Sequence, residues 1–385
     1  MTEAPLPELN YVALALQPAG EPGEPVVAFL DRARNLRVAQ RTAGSWTTTT
    51  VAALCAPGFL AIAAHADQQL VVYTQDHGQQ RTLCWARRAG PSASWIGARL
   101  PVHIVGGVGM GAGALHLSHS GAHLVYLRQF AGLDYVYARE AQDWQLEPVP
   151  VLPPDHVAAG YAVAWDQHDQ PHLAVLSAPL QGDSPRARLS YAWRTPAGQW
   201  TSEDVPVPAC APGDGTLALQ LDAGDRPHVA YATGALERRQ AWYVVRGASA
   251  PHAATWESEL AIAAAAPQSM MLRLDRQGQP VLLGVRPTCF PYLGGPVVLA
   301  TRRSQRDWPV TVAALGPATE QVRMANVVPI AGALDAQGQI HLAYWEGFSE
   351  ITSYAHSGDG GQFWRRETVW EARPARLCLP QHGGA

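Results

Sequence analysis

Apolar positions along this chain come in short runs rich in Val, Leu, Ala, Tyr and Trp, divided by clusters of Gly, Pro, Asp and Gln. In "LDAGDRPHVAYATG", residues 221–234, one run ends at Asp222, a turn with Gly and Asp follows, and a second run opens at Pro227-His228. This reads as strand, tight turn, strand. The pattern recurs as "WDQHDQPHLAVLS" (165–177), "LDRQGQPVLLGVR" (274–286) and "LDAQGQIHLAYWE" (334–346). Looser copies are "LSHSGAHLVYLR" (117–128), "HADQQLVVYTQ" (65–75) and "GEPGEPVVAFLD" (20–31). Strand a ends at Asp, whose side chain can cap the turn, and Gly supplies a positive φ there. Pro heads strand b, where its missing donor matters least.

A second periodic signal follows each hairpin. Trp46, Trp95, Trp144, Trp200, Trp256, Trp308 and Trp364 each open a short strand, d, at intervals of roughly 50 residues. Between hairpin and Trp lies strand c: "LRVAQRT", "LCWARRA", "DYVYARE", "LSYAWRT", "AWYVVRG", "VVLATRR" and "ITSYAHS". Four strands per unit and seven units predict an all-β fold, a seven-bladed β-propeller of four-stranded antiparallel blades. Residues 1–371 are expected to form it, with blades at about 9–53, 54–102, 103–151, 152–207, 208–263, 264–316 and 317–371, and 372–385 as a tail. Both end blades hold four strands of their own, so closure is expected from packing between neighbours. A Trp at the head of strand d is suited to seal one blade against the next.

Composition narrows the function classes. Of 385 residues only 16% are charged and the formal net charge is −4, which argues against a basic nucleic-acid surface. No apolar run reaches the length of a membrane span. The start, "MTEAPLPELN", has no basic or apolar leader signature, so a cytoplasmic location is expected, with non-classical export as the alternative. Five cysteines without a CxxC pair read as free, mostly buried thiols.

The c–d turn of the last unit, "SGDGGQFW" (357–364), resembles the Asp box of sialidase-like (BNR) propellers through Ser357, Asp359, Gly361 and Trp364, with Phe363 in place of the usual Thr. The a–b hairpin is likewise similar to repeats of bacterial propellers of that kind. The resemblance implies a propeller and a structural role for Asp359 in its turn. It brings no catalytic residue to this chain.

In such a ring the a–b and c–d turns share one face, and the longer b–c and d–a loops share the other. A ligand is expected on the loop face. Candidate binding residues there are His103, Arg128, Arg286, Phe290, Tyr292, Trp345 and Glu346, which combine aromatic faces with hydrogen-bonding groups suited to a glycan or another small polar ligand. Candidates for catalysis are Asp155, His156, Asp214, Glu320 and Arg323 on successive d–a loops. The segment "PPDHVAAG" (153–160) places Asp155 beside His156, which can pair only through a bend. His123, His172, His228 and His341 share one strand-b position. They read better as side chains packed inside their own blades than as a metal ring, because metal ligands must converge on one centre. Neither metal nor cofactor is expected. The favoured reading is a lectin-like binding module. The alternatives are an enzyme (hydrolase, lyase or cyclase) with an axial site, and a protein-interaction platform.

Overall fold

A computed structural model describes residues 12–17, 23–77, 80–104, 114–128, 132–139, 143–179, 187–210, 216–234, 238–247, 255–264, 266, 269–285, 297–312, 327–335, 337–346 and 351–371. They form seven four-stranded antiparallel sheets, each built from four consecutive strands. Blade 1 holds β1 (Val12–Gln17), β2 (Glu24–Leu30), β3 (Leu36–Thr42) and β4 (Ser45–Ala52); blade 2 holds β5 (Cys55–His65), β6 (Gln68–His77), β7 (Gln80–Ala89) and β8 (Ile96–Ile104). Blade 3 holds β9 (Leu115–Ser118), β10 (Gly121–Arg128), β11 (Gly132–Ala138) and β12 (Gln145–Val149); blade 4 holds β13 (His156–Trp165), β14 (Pro171–Pro179), β15 (Ala187–Arg194) and β16 (Trp200–Cys210). Blade 5 holds β17 (Leu217–Leu221), β18 (Pro227–Thr233), β19 (Gln240–Arg246) and β20 (Trp256–Ile262); blade 6 holds β21 (Ser269–Leu274), β22 (Pro280–Val285), β23 (Val297–Thr301) and β24 (Val310–Val312). Blade 7 holds β25 (Val327–Leu334), β26 (Ile340–Glu346), β27 (Ile351–Ser357) and β28 (Arg365–Glu371).

The first strands form the inner ring: β5 lies against β9, β13 against β17, β17 against β21, β21 against β25, and β25 against β1. The middle strands are apolar on both faces. Pro227–Thr233, for example, is buried throughout, as a sheet covered on both sides requires. The ring closes by packing. Val12, Val27, Phe29 and Ala39 of blade 1 share a core with Ala343, Tyr354 and Val369 of blade 7. Cys55 and Cys84 are buried free thiols, and burial pushes Cys55 up to about 11. No helix among the described residues is long and apolar enough to cross a membrane.

Some loops expected from the sequence are shorter in the structure. "PPDHVAAG" is half strand: β13 begins at His156, and a bulge between Ala158 and Gly160 re-aims it. The strand reaches further because its pairing with β14 continues to Pro179. Likewise β16 runs on to Cys210, and the b–c loop of blade 3 shrinks because Arg128 pairs with Gly132.

Candidate functional site

Most a–b turns are built around one aspartate. In blade 5, Asp222 Oδ1 accepts the backbone N–H of Gly224 and of Arg226, both at 2.9 Å. His228 Nε2 lies 3.4 Å from Asp222 Oδ2, and His228 Nδ1 meets the Tyr243 hydroxyl of strand c. A carboxylate only accepts, so the neutral ring carries its proton on Nε2, and Tyr243 donates to Nδ1. Blade 7 repeats this with Asp335, His341 and Tyr354, at 3.2 Å and 2.6 Å. Blade 4 does so with Asp166, His172 and Tyr191. In blade 3, His123 Nδ1 is 2.8 Å from the Tyr135 hydroxyl and its Nε2 faces Ser120 Oγ.

Burial pushes these imidazoles down, His123 to about 4, and pushes the tyrosine hydroxyls up. Each histidine is therefore a neutral peg holding its own turn to strand c. Among the described residues no group of three His, Cys, Asp or Glu is placed to hold a metal.

A second layer joins the blades. At the junction of blades 5 and 6, Trp308 packs on Tyr243 with ring centroids 5.3 Å apart. Its Nε1 donates to Glu259 at 3.1 Å, and Arg302 donates to the same carboxylate. The same clamp closes blade 7 on blade 1: Trp46 packs on Tyr354, and Trp46 and Arg41 donate to Glu367 at 2.9, 2.8 and 2.7 Å. Between blades 3 and 4, Trp200 and Arg194 hold Glu147 beside Tyr135. Between blades 4 and 5, Arg246 holds Glu203, and Trp256 packs on Tyr191. In these four junctions the glutamate lies three residues after the Trp of its own blade and pairs across the sheet with the Tyr; the Arg lies three residues after the equivalent strand-c position of the next blade, which is Tyr191, Tyr243, Leu299 or Val38.

Between blades 1 and 2 Trp95 donates to Thr49 at 3.2 Å, whereas Trp364 donates within its own blade to Gly361 O at 3.0 Å. With no glutamate before it, Arg88 turns inward to Gln69 and Gln40 under Trp95.

Between blades 2 and 3 the clamp is missing. The glutamate position is Ala98, paired with Trp85 across β7 and β8, and the arginine position is Ala138. Trp144 remains, 9% exposed and 6.5 Å from the Trp85 ring, and its Nε1 has no hydrogen-bond partner. A pocket of about 310 Å³ lies at this junction, with Ala138 in its lining. Trp85 and Trp144 line it together with His65, Arg87, His119 and Arg139, and among the described residues no Asp or Glu lines it. Arg87 is steadied by Gln68 Oε1 at 2.5 Å, while Arg139 is exposed. The a–b turns of blades 2 and 3 frame this pocket, so it opens on the turn face.

Those residues singled out in the sequence that the structure describes lie toward the opposite face. His103 ends β8, Arg128 ends β10, and Trp345 and Glu346 end β26, so their backbones reach the loop face; their side chains lie outside what the structure describes. Asp214, Arg286, Phe290, Tyr292, Glu320 and Arg323 also lie outside the described residues. Asp155 is exposed with φ 61°. The neighbouring His156 ring sits 3.1 Å from Pro154 O, and no bond joins it to Asp155. The pocket residues went unnoticed because their signal is an absence. Three residues after each Trp the chain reads Thr49, Ala98, Glu147, Glu203, Glu259, Thr311 and Glu367, and only Ala98 offers no side-chain acceptor.

These features define a seven-bladed β-propeller of four-stranded blades. No protein-family model matches the chain, and no curated protein matches it by sequence. Solved structures do match in fold. An ulvan lyase, described as a polysaccharide lyase of a new family, is 13% identical with a TM-score of 0.60, covering 94% of this chain and 97% of its own. The six-bladed fungal lectin of Aleuria aurantia is 13% identical with a TM-score of 0.52, covering 96% and 99%. A putative 6-phosphogluconolactonase from Bacteroides uniformis is 9% identical with a TM-score of 0.52, covering 94% and 98%. At these identities the likeness is one of fold.

Proposed function

We propose that this protein is a carbohydrate-binding propeller, lectin-like in action, with a saccharide site between blades 2 and 3. The observation that carries the reading is the pocket floored by Trp85 and Trp144. At about 310 Å³ it has the volume of a small-ligand site and suits one sugar unit. Indole faces suit the apolar side of a pyranose. Trp144 N–H, Arg87, Arg139 and Gln68 suit its oxygens. Two propellers of similar shape were solved with saccharides: a lectin variant from Aleuria aurantia with alpha-methyl-L-fucoside, and ulvan lyase with a -[GlcA(1-4)Rha3S]- segment. The loop face, with His103, Arg128, Arg286, Phe290, Tyr292, Trp345 and Glu346, is the proposed place for further saccharide contacts.

Kinship with sialidase-like repeats is part of the same proposal. It rests on the 357–364 turn, where Asp359 Oδ1 accepts from Ser357 Oγ and from the N–H of Gln362 and Phe363, and Ser357 Oγ accepts the N–H of Gly361.

A glycan array probed with the wild type and with Arg139→Gln tests the site. Saccharide hits that weaken roughly tenfold in the variant are expected, as for the loss of one charged hydrogen bond. An array without a hit above background ends the reading. Saccharide that is cleaved during the assay replaces it with the enzyme reading and turns attention to Asp155, His156, Asp214, Glu320 and Arg323.

A further inference from the structure

We infer that the group bound between blades 2 and 3 is a carboxylate, as carried by a uronic acid unit, and that it completes the inter-blade clamp the chain leaves open. The inference rests on the saccharide reading above and specifies the ligand. Four junctions of this ring place a glutamate carboxylate beside an aromatic pair, and at three of them a Trp N–H donates to it. The fifth such aromatic pair is Trp85 with Trp144. There the chain supplies neither the carboxylate, which Ala98 lacks, nor the clamping arginine, which Ala138 lacks. The Trp144 donor is retained, nine-tenths buried and unpartnered. A buried N–H without an acceptor is unfavourable, and an arriving oxygen relieves it.

Charge points the same way. Arg87 and Arg139 border the pocket with His65 and His119, and among the described residues no acidic side chain of its lining balances them. Arg87 is held to Gln68 and Arg139 is exposed, so both guanidinium groups stand where an entering carboxylate meets them. Ala98 is exposed, whereas Glu259 at the equivalent position is buried. A planar two-oxygen group reproduces what Glu259 does for Trp308 and Arg302 between blades 5 and 6.

The test is calorimetric titration with three probes: a glucuronate-containing tetrasaccharide, the same tetrasaccharide with its carboxyl groups reduced to hydroxymethyl, and that reduced form after sulfation. Wild type, Ala98→Glu and Arg139→Gln are compared, with Arg188→Gln in blade 4 as a control. The acidic probe is expected to bind at least tenfold more tightly than the reduced one. Ala98→Glu is expected to abolish that binding by supplying the carboxylate from within, and to unfold at no lower temperature than wild type. Should Ala98→Glu fail to fold, a roughly tenfold loss in Arg139→Gln carries the test. Equal binding of the acidic and reduced probes, both lost in Ala98→Glu, leaves the saccharide site standing and overturns the carboxylate. Preference for the sulfated probe also overturns it. Acidic binding unchanged in both variants overturns the location, and no binding of any probe overturns the saccharide reading with it.

Discussion

Trp308 and Trp144 occupy equivalent places and differ in one bond. Trp308 Nε1 reaches Glu259, whereas Trp144 Nε1 reaches nothing. Replacing each by Phe removes the same atoms, so the difference reports the hydrogen bond together with the packing around each ring. Trp308→Phe is expected to cost about 1–3 kcal/mol more than Trp144→Phe in urea unfolding, the range for a bond to a charged group. Equal losses would show that the clamp contributes nothing.

The histidine pegs have a pH consequence. His123 titrates at about 4 in the fold, against about 6.5 in an unfolded chain. The unfolded chain therefore takes the proton first, and stability is full above about 6.5 and is lost as the pH falls toward 4. From His123 alone the loss reaches on the order of 3 kcal/mol at pH 4. Burial lowers His172, His228 and His341 in the same direction. Asp169 stays charged through this window. Burial alone would raise it, but bonds from Ser120, His116 and Ser118 outweigh that and hold it at about 2. Urea midpoints measured between neutral pH and about pH 4.5 should fall steadily, and a flat profile would contradict the buried neutral pegs.

At the scale of the element, turns decide how closely strands approach. Gly121 opens β10 at φ 137°, and a Cβ there would lie 2.2 Å from the Ala138 carbonyl of β11. Gly44 also has positive φ, 81°, but nothing lies within 4 Å of its added Cβ. Gly44→Ala is expected to cost about 1 kcal/mol through backbone strain alone, and Gly121→Ala at least about 2 kcal/mol because two strands must also part. Gly121 borders the pocket between blades 2 and 3, so Gly121→Ala should also weaken ligand binding while Gly44→Ala leaves it unchanged. Thermal unfolding and the titrations above read both effects.

For the whole molecule, closure depends on the seventh blade gripping the first. Among the described residues no strand is exchanged, and the polar grip there includes Glu367 with Arg41 and Trp46. Glu367→Ala strands a partly buried arginine and an indole N–H together, and is expected to cost about 2–4 kcal/mol. The pair Arg188–Asp204 makes a fair contrast, since it joins two strands of one blade and about half of each side chain is exposed. Arg188→Ala is expected to change stability by about 0.5 kcal/mol or less. If the two variants unfold alike, the clamp does not hold the ring shut.

Sequence alone was sufficient for the ring. The Asp–turn–Pro-His hairpins and the seven tryptophans are local signals, each written within a dozen or so residues, and their physical reasons are local: Asp caps its own turn, Gly takes positive φ, and Trp needs a neighbour to cover it. The pegging role of His172, His228 and His341 was also legible, because Asp and His sit on the same hairpin. The open junction was not. Ala98, Ala138, Trp85 and Trp144 lie on three strands of two blades, and each is unremarkable by itself. They come together only when strand register sets Ala98 opposite Trp85 and blade packing brings Trp144 against Trp85, because a gap left by small side chains exists only where strands from two blades meet in space.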